Sequence, residues 1–353
     1  MGVGENGALH FMVMTKKAPT IQDVARHANV SAATVSRVLS NPERVSEATR
    51  ERVNQAVRDT GYTINQAARS LRMRAARTIL IALPDIGNPF YSTILDAVVD
   101  EAATRGYGVL VANRFAGDGS RLLGDYFLSS RADGLLLFDG GVDTSLLQVL
   151  ATPDGHVPLV VSFDEMPGAD VAAVLVDNLE AGERATDYLI RLGHTKIGHI
   201  IGPSRNSDPN QRCIGFHNAM RRARLEVNPD WVVQGGYSMQ SGIEAAEKML
   251  QADSLPTAVF AGNDEMAIGF LSTLHDRGIE CPRDISVIGF DDIAIAINYR
   301  PRLTTMRQPR EQIGRLATES LIDILEGAAA PGAPRRITLR CDLVERESTR
   351  ALR

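Results

Sequence analysis

Apolar residues between Thr20 and Tyr62 recur every three or four positions, in three runs separated by small and polar residues. That spacing predicts three short helices. The first opens on Thr20-Ile21-Gln22-Asp23, a capping-box-like start, turns Ile21, Val24 and Ala25 to one face, and stops at Asn29. Ser31 offers a second N-cap, followed by Val35, Val38 and Leu39 as a buried stripe. At about 100° per residue, Ala32, Ala33, Ser36 and Arg37 share the opposite face. A third helix begins at Ser46 with Glu47 in its first turn, carries Val53, Ala56 and Val57 inward, and ends near Gly61-Tyr62. Three helices around one small core make a helix-turn-helix unit whose second helix can enter a major groove.

From Thr78 onward the pattern changes to short apolar runs alternating with amphipathic stretches, the signature of a parallel α/β sheet. Strands are expected at 79–83, 108–111, 135–138 and 159–161, and again at 196–201, 232–234, 258–261 and 286–289, with helices between. Two doubly wound lobes follow, with a ligand cleft between them at the carboxyl ends of the strands.

The composition, 44% hydrophobic and 23% charged over 353 residues, is that of an ordinary globular chain and excludes a disordered or collagen-like one. Apolar runs such as Ile79 to Pro84 are far shorter than the roughly 18–20 residues that span a bilayer. Cys213, Cys281 and Cys341 are scattered and odd in number, which excludes a disulfide framework or a thiolate metal site and fits a reducing cytoplasm. The net charge of −5 conceals an asymmetry, because twelve basic and five acidic residues lie between Lys16 and Thr78, leaving the rest of the chain strongly acidic. A basic module on an acidic body points to a polyanionic partner. Gly2, Gly4 and Gly7 spell G-x-G-x-x-G but lack the preceding strand and following helix of a dinucleotide site, and no signal-peptide pattern is present. Residues 1–18 are therefore expected to be a disordered extension, with Met14 as an alternative start.

Thr20-Ile21-Gln22-Asp23-Val24-Ala25, Val30-Ser31, Ala33-Thr34-Val35-Ser36-Arg37-Val38-Leu39, Val45-Ser46 and Thr49-Arg50 resemble the headpiece of the lactose-repressor (LacI/GalR) family of bacterial transcription regulators. The resemblance extends from Thr20 to Thr349. It implies a headpiece at 19–63, a hinge helix or linker at 64–76, and a two-lobed effector-binding and dimerisation domain at 77–353 with the periplasmic-binding-protein fold and crossovers between its lobes. It also implies a cytoplasmic homodimer on a palindromic double-stranded operator. The DNA-contacting set would be Thr20, Ser31, Ala32, Ala33, Thr34, Ser36 and Arg37, with Arg69, Leu71 and Arg72 in the hinge. Arg37 can pair with guanine O6 and N7, while Leu71 matches a wedge that unstacks the central base step in the minor groove.

In the cleft, Asp85 and Asn88 follow the first strand, and Phe90 and Tyr91 match positions where the family packs its effector. Arg212 matches the arginine that holds effector hydroxyls or a carboxylate. Asn263 and Asp291 each follow a predicted strand, and Gln308 lies beyond Thr304-Thr305-Met306-Arg307. Asp264 is expected to cap its helix. Phe163, followed by Asp164, stands where many sugar-responsive members carry an aspartate, so either a ring favouring stacking replaces a hydroxyl-binding group or the loop is shifted by one residue. The expected effector is a sugar or polyol. The alternative is a nucleoside, since Gln308-Pro309-Arg310 and Glu347-Ser348-Thr349-Arg350 resemble the nucleoside-responsive branch of the family. No catalytic motif is found, neither G-x-S-x-G, nor a P-loop, nor H-E-x-x-H, and no cofactor or metal is expected. His194 and His199 are too poorly placed to share a metal. A solute-binding protein would share the two lobes but would not need the basic headpiece.

Overall fold

The computed structural model describes residues 19–63, 75–114, 119–138, 150–151, 158–163, 171–204, 207–328 and 335–352. The expected extension at 1–18 and the hinge residues Arg69, Leu71 and Arg72 lie outside the described residues. The described chain divides into two compact units, one before Ala75 and one from Ala75 onward.

In the N-terminal unit, α1 (Ile21–His27), α2 (Ala32–Ser40) and α3 (Glu47–Thr60) enclose a core of Val24, Ala25, Ala28, Val35, Val38, Val53 and Ala56. The Asp23 carboxylate accepts the Thr20 N–H at 2.8 Å and the Thr20 hydroxyl at 2.7 Å, fixing the start of α1. The turn out of α1 is sharp because Asn29 adopts φ 52°, a left-handed conformation that asparagine tolerates. Val30 N–H then reaches back to Ala25 O at 3.0 Å and Asn29 N–H to Arg26 O at 3.3 Å, a Schellman closure that satisfies the last carbonyls. Ser31 caps α2 by accepting the Thr34 N–H at 3.1 Å. Gly61, at φ 64°, ends α3.

The second unit contains two six-stranded sheets. The first is built from β1 (Thr78–Leu83), β2 (Gly108–Asn113), β3 (Gly134–Leu137), β4 (Leu159–Ser162), β5 (Ala172–Val176) and β11 (Arg336–Leu339), in the order β11-β5-β4-β3-β1-β2. All of its pairings are parallel. The second contains β6 (Ile197–Ile201), β7 (Val232–Gln234), β8 (Ala258–Ala261), β9 (Ser286–Asp291), β10 (Thr304–Arg307) and β12 (Asp342–Val344), in the order β12-β10-β9-β8-β6-β7, and only β12 runs antiparallel. Central strands such as β3, β4 and β9 are buried along their whole length, as parallel strands covered on both faces must be.

Among the described residues the helices are α4 (Phe90–Thr104) and α5 (Gly119–Leu128) in the first lobe, then α6 (Asn178–Arg191), α7 (Ser207–Arg222), α8 (Met239–Met249), α9 (Asp264–Asp276), α10 (Ala294–Asn298) and α11 (Arg310–Leu325). The chain crosses between sheets three times: from β5 through α6 to β6, from β10 through α11 to β11, and from β11 to β12. These crossovers exchange helices, so that α6 packs on α7 of the second lobe and α11 packs on α4 and on β3, β4 and β5 of the first. The α6–α7 contact is backbone to backbone, because a Cβ at Gly182 would run into the Arg212 carbonyl.

Candidate nucleic-acid face and interlobe cleft

On α2, Val35 and Val38 are buried while Ala33 and Arg37 are exposed, so the helix presents a small methyl and a guanidinium to solvent one turn apart. Thr20 and Ser31 sit at the N-termini of α1 and α2, and the Thr34 hydroxyl lies 2.8 Å from the Ser31 hydroxyl. Ser36 is half-buried. Ala32 is also half-buried and packs against the headpiece core. The first turn of α2 lies against that core, so a small residue there closes the packing.

In the second unit, the carboxyl ends of the strands converge on a cavity of about 190 Å³. All nine residues expected at the cleft line it: Asp85, Asn88, Phe90, Tyr91 and Phe163 from the first lobe, and Arg212, Asn263, Asp291 and Gln308 from the second. The first lobe contributes an aromatic wall. Phe90 meets Tyr91 edge-on at 5.1 Å and Phe163 at 5.2 Å, and Phe138 lies 5.9 Å from Phe163 and 6.2 Å from Tyr91. Phe163 holds its place with φ 72°, a left-handed conformation costly for a bulky side chain. Asp164 lies outside the described residues. Asn88 shapes the entry to α4, its Oδ1 accepting the Phe90 N–H at 2.9 Å, and Asp85 likewise accepts the Gly87 N–H at 2.8 Å.

The second lobe contributes the polar wall. Arg212 is buried, donating from Nε to Asn178 Oδ1 at 2.8 Å and from Nη1 to Gly262 O at 2.7 Å and the Tyr237 hydroxyl at 3.3 Å. Its guanidinium lies over the Phe290 ring at 3.7 Å, and Nη2 is 4.0 Å from the Asp208 carboxylate. Asp291, with φ 110°, accepts the Gln308 amide at 2.7 Å. Burial pushes the Asp291 carboxyl up to about 6 against the pull of Arg212, Gln308 and Arg310. Burial likewise raises Glu265 and the Tyr91 hydroxyl, and the Asp291 charge adds to both. Gln308 Oε1 is buried and has no hydrogen-bond partner among the described residues.

The expected cap at Asp264 is corrected by the geometry. Asn263 is the N-cap of α9, its Oδ1 accepting the Met266 N–H at 2.9 Å while Nδ2 donates to Tyr237 O at 3.2 Å. Asp264 is fully buried behind the cleft, where it accepts the Ile293 N–H at 2.9 Å and the Thr305 hydroxyl at 2.7 Å. Burial and the nearby Asp291 charge hold its carboxyl well above the usual range. Eight lining residues escaped the sequence reading, among them Phe138, Asp208, Tyr237 and Glu265. Phe138 ends an expected strand and Asp208 precedes Arg212 by one helical turn, so both carried a signal, whereas Tyr237 lies in a loop with none.

His194 and His199 hold structure. The His194 ring lies 3.0 Å from the Thr257 hydroxyl through Nδ1 and donates from Nε2 to Arg350 O at 3.1 Å, and His199 donates from Nδ1 to Phe260 O at 2.8 Å. Among the described residues no cluster of three or more His, Cys, Asp or Glu side chains could hold a metal ion. No helix among them is long and apolar enough to cross a membrane.

Residues 20–65 match the family model for bacterial regulatory proteins of the lacI family, and residues 186–349 match the periplasmic binding protein-like domain. The HTH-type transcriptional repressor CytR of Escherichia coli (strain K12) is 37% identical over 338 residues, covering 95% of this chain and 97% of the relative. The repressor PurR of Vibrio cholerae serotype O1 (strain M66-2) is 36% identical over 340 residues, covering 94% and 98%. Among solved structures, the lac repressor dimer bound to operator and the anti-inducer ONPF superposes with a TM-score of 0.83 at 27% identity, covering 95% of this chain and 100% of that one. The complex of the transcriptional regulator CelR with cellobiose gives 0.71 at 32%, covering 94% and 99%. With a helix-turn-helix unit, two crossed-over lobes and near full-length relatives that are repressors and not enzymes, the chain belongs to the LacI family of bacterial regulatory proteins and is a DNA-binding transcriptional repressor.

Proposed function

We propose that this repressor acts as a cytoplasmic homodimer on a palindromic operator and that its operator affinity is set by a nucleoside-class effector held between the two lobes. The observation that carries the effector class is the aromatic wall of Phe90, Tyr91, Phe138 and Phe163 facing the polar wall of Arg212, Asp291 and Gln308 across one cavity. A nucleoside offers a planar ring to the first and hydroxyl or amino donors to the second. Relatives named CytR and PurR accord with this reading, which reverses the order of effector classes expected from sequence. The sugar or polyol reading keeps support from the polar wall and from the likeness to the CelR–cellobiose complex.

In the N-terminal unit, the exposed Arg37 and Ala33 of α2, with the half-buried Ala32 and Ser36 beside them, would read bases, while Thr20, Ser31 and Thr34 would meet phosphates at helix N-termini. Arg69, Leu71 and Arg72 complete this proposal as the hinge that opens the centre of the operator. Isothermal titration of the full chain with nucleosides, free bases, sugars and polyols tests the effector class. Saturable binding of a nucleoside with no binding of sugars is the expected result, and the reverse pattern removes the aromatic-wall argument.

A further inference from the structure

We propose that α4 and α11 together form a rod that carries the state of the cleft to the first residues of the second unit, with Arg310 and Glu326 as its positioning residues. The inference rests on the reading of the cleft as the effector site. Both helices begin at the cleft and end at the strand that receives the linker. At the cleft end, Arg310, the first residue of α11, donates from Nη1 to Phe90 O at 3.2 Å and from Nη2 to Asp292 O at 2.8 Å. Phe90 belongs to the aromatic wall in one lobe, and Asp292 follows the cleft carboxylate Asp291 in the other. Asp292 is itself fixed, since its carboxylate accepts from Arg307 Nε at 2.7 Å and Arg346 Nη2 at 2.5 Å. Arg310 is therefore tied to the backbone of both walls.

At the far end, Glu326 directly follows α11 and accepts from Arg105, which directly follows α4, at 2.6 Å, and from Arg77 at 3.1 Å. Arg77 also donates to Arg105 O at 3.3 Å and lies 4.9 Å over the Tyr107 ring, with its backbone at φ 51°. On either side of Arg77, the Asp133 carboxylate accepts the Ala76 N–H at 2.8 Å and the Thr78 N–H at 3.3 Å. Between these ends the helices are in close contact: a Cβ at Gly314 would lie 2.6 Å from Ile94 O, and Ile94, Val98, Ala317 and Leu321 are buried. Two helices clamped at both ends and packed along their length move as one body, and α11 alone spans about 24 Å. A shift of Phe90 relative to Asp292 when a ligand draws the lobes together thus reaches Arg77. The ion pairs at the far end are about one-third exposed and add little to stability, so their consequence is where they hold Arg77.

Amide hydrogen exchange on the full chain tests the rod without any ligand. In Arg310→Ala, exchange at Ala76 and Thr78 is expected to rise at least fivefold while Val259 and Phe260 in β8 stay unchanged, with Arg310→Lys intermediate. A rigid rod transmits in both directions, so Glu326→Gln is expected to raise exchange at the Phe90 amide. An Arg310→Ala protein whose altered exchange stops at residues 88–92 and 290–294 overturns the rod. If that variant does not fold, an unchanged Phe90 amide in Glu326→Gln does so instead. A second arm titrates operator DNA with and without cytidine and adenosine. Glu326→Gln is expected to bind them as the wild type does, yet to lose at least fivefold of the ligand-induced change in operator affinity. Wild-type protein that binds no nucleoside contradicts the effector reading alone, and the exchange result still decides the rod.

Discussion

Gln308 donates its side-chain amide to the Asp291 carboxylate across 2.7 Å in the interlobe cleft. Because a carboxylate accepts, this bond fixes the amide orientation, so that Oε1 is the atom left buried and unpaired among the described residues. The pair joins the ends of neighbouring parallel strands β9 and β10. It gives the cleft a carboxyl group whose charge changes near pH 6.

An effector that offers N–H or O–H donors to Asp291 prefers the ionised carboxylate, so its binding lowers the carboxyl pKa and releases a proton. Affinity should then rise with pH until it passes the free-state value of about 6, and level off above it. Titration calorimetry is expected to find binding about tenfold weaker at pH 5 than at pH 7. Asp291→Asn should bind more weakly at neutral pH and show no such dependence. Affinity that falls between pH 5 and 7 contradicts a charged Asp291 in the complex.

His199 is stacked between Phe260 at 4.7 Å and Phe216 at 5.1 Å, and burial pushes its imidazole down to about 4. The unfolded chain therefore takes up more protons than the folded one between pH 6.5 and 4, and the corresponding stability is lost as pH falls through that window, by about 3 kcal/mol in all. His199→Phe loses the bond to Phe260 O, costing about 1 kcal/mol at pH 7.5, but removes this acid penalty. Urea unfolding of both proteins at pH 7.5 and 4.5 should show the variant gaining on the wild type at the lower pH. A gap that does not change with pH contradicts the neutral buried imidazole.

Phe163→Leu keeps most of the side-chain volume but removes the ring that meets Phe90 and Phe138. Loss of ring contact is worth about 0.5–1.5 kcal/mol, so nucleoside affinity should fall about three- to tenfold with little change in melting temperature. Unchanged affinity would place the ligand's ring elsewhere.

Ser31→Ala removes the cap on α2 and should cost about 1 kcal/mol in the N-terminal unit, measured by thermal melting. Arg37→Ala leaves the core untouched, because Arg37 is exposed, and should instead cost about 1–3 kcal/mol of discrimination at one base pair. A uniform loss on all DNA sequences would make Arg37 a phosphate contact.

The helix-turn-helix unit was legible because Ser31, Asn29 and the Val24, Val35, Val38 and Val53 positions each carry a local rule, whether cap, turn or periodicity, that the tertiary packing obeys. Central strands were legible for the same reason, as unbroken apolar runs buried on both faces. Four strands were not: β5, β10, β11 and β12. Ala172–Val176 is an unpunctuated short run, and β11 and β12 are edge strands of four and three residues whose pairing is decided by the lobe crossover and not by their own sequence. In the cleft, residues placed just after strands could be found from strand ends alone. The tie of Arg310 to Phe90 and Asp292 could not, since it joins positions 220 and 18 residues apart. The cap of α9 was misplaced by one residue because Asn263 and Asp264 are adjacent and both can cap a helix.

The most direct test of the central claim is fluorescence anisotropy of the full chain on DNA from its own upstream region, titrated alone and then with nucleosides and with sugars. Sequence-specific binding to a palindromic site is expected to shift at least about tenfold with one nucleoside, within the usual range of allosteric coupling, and not with sugars. Binding that responds to a sugar or polyol and to no nucleoside would contradict it.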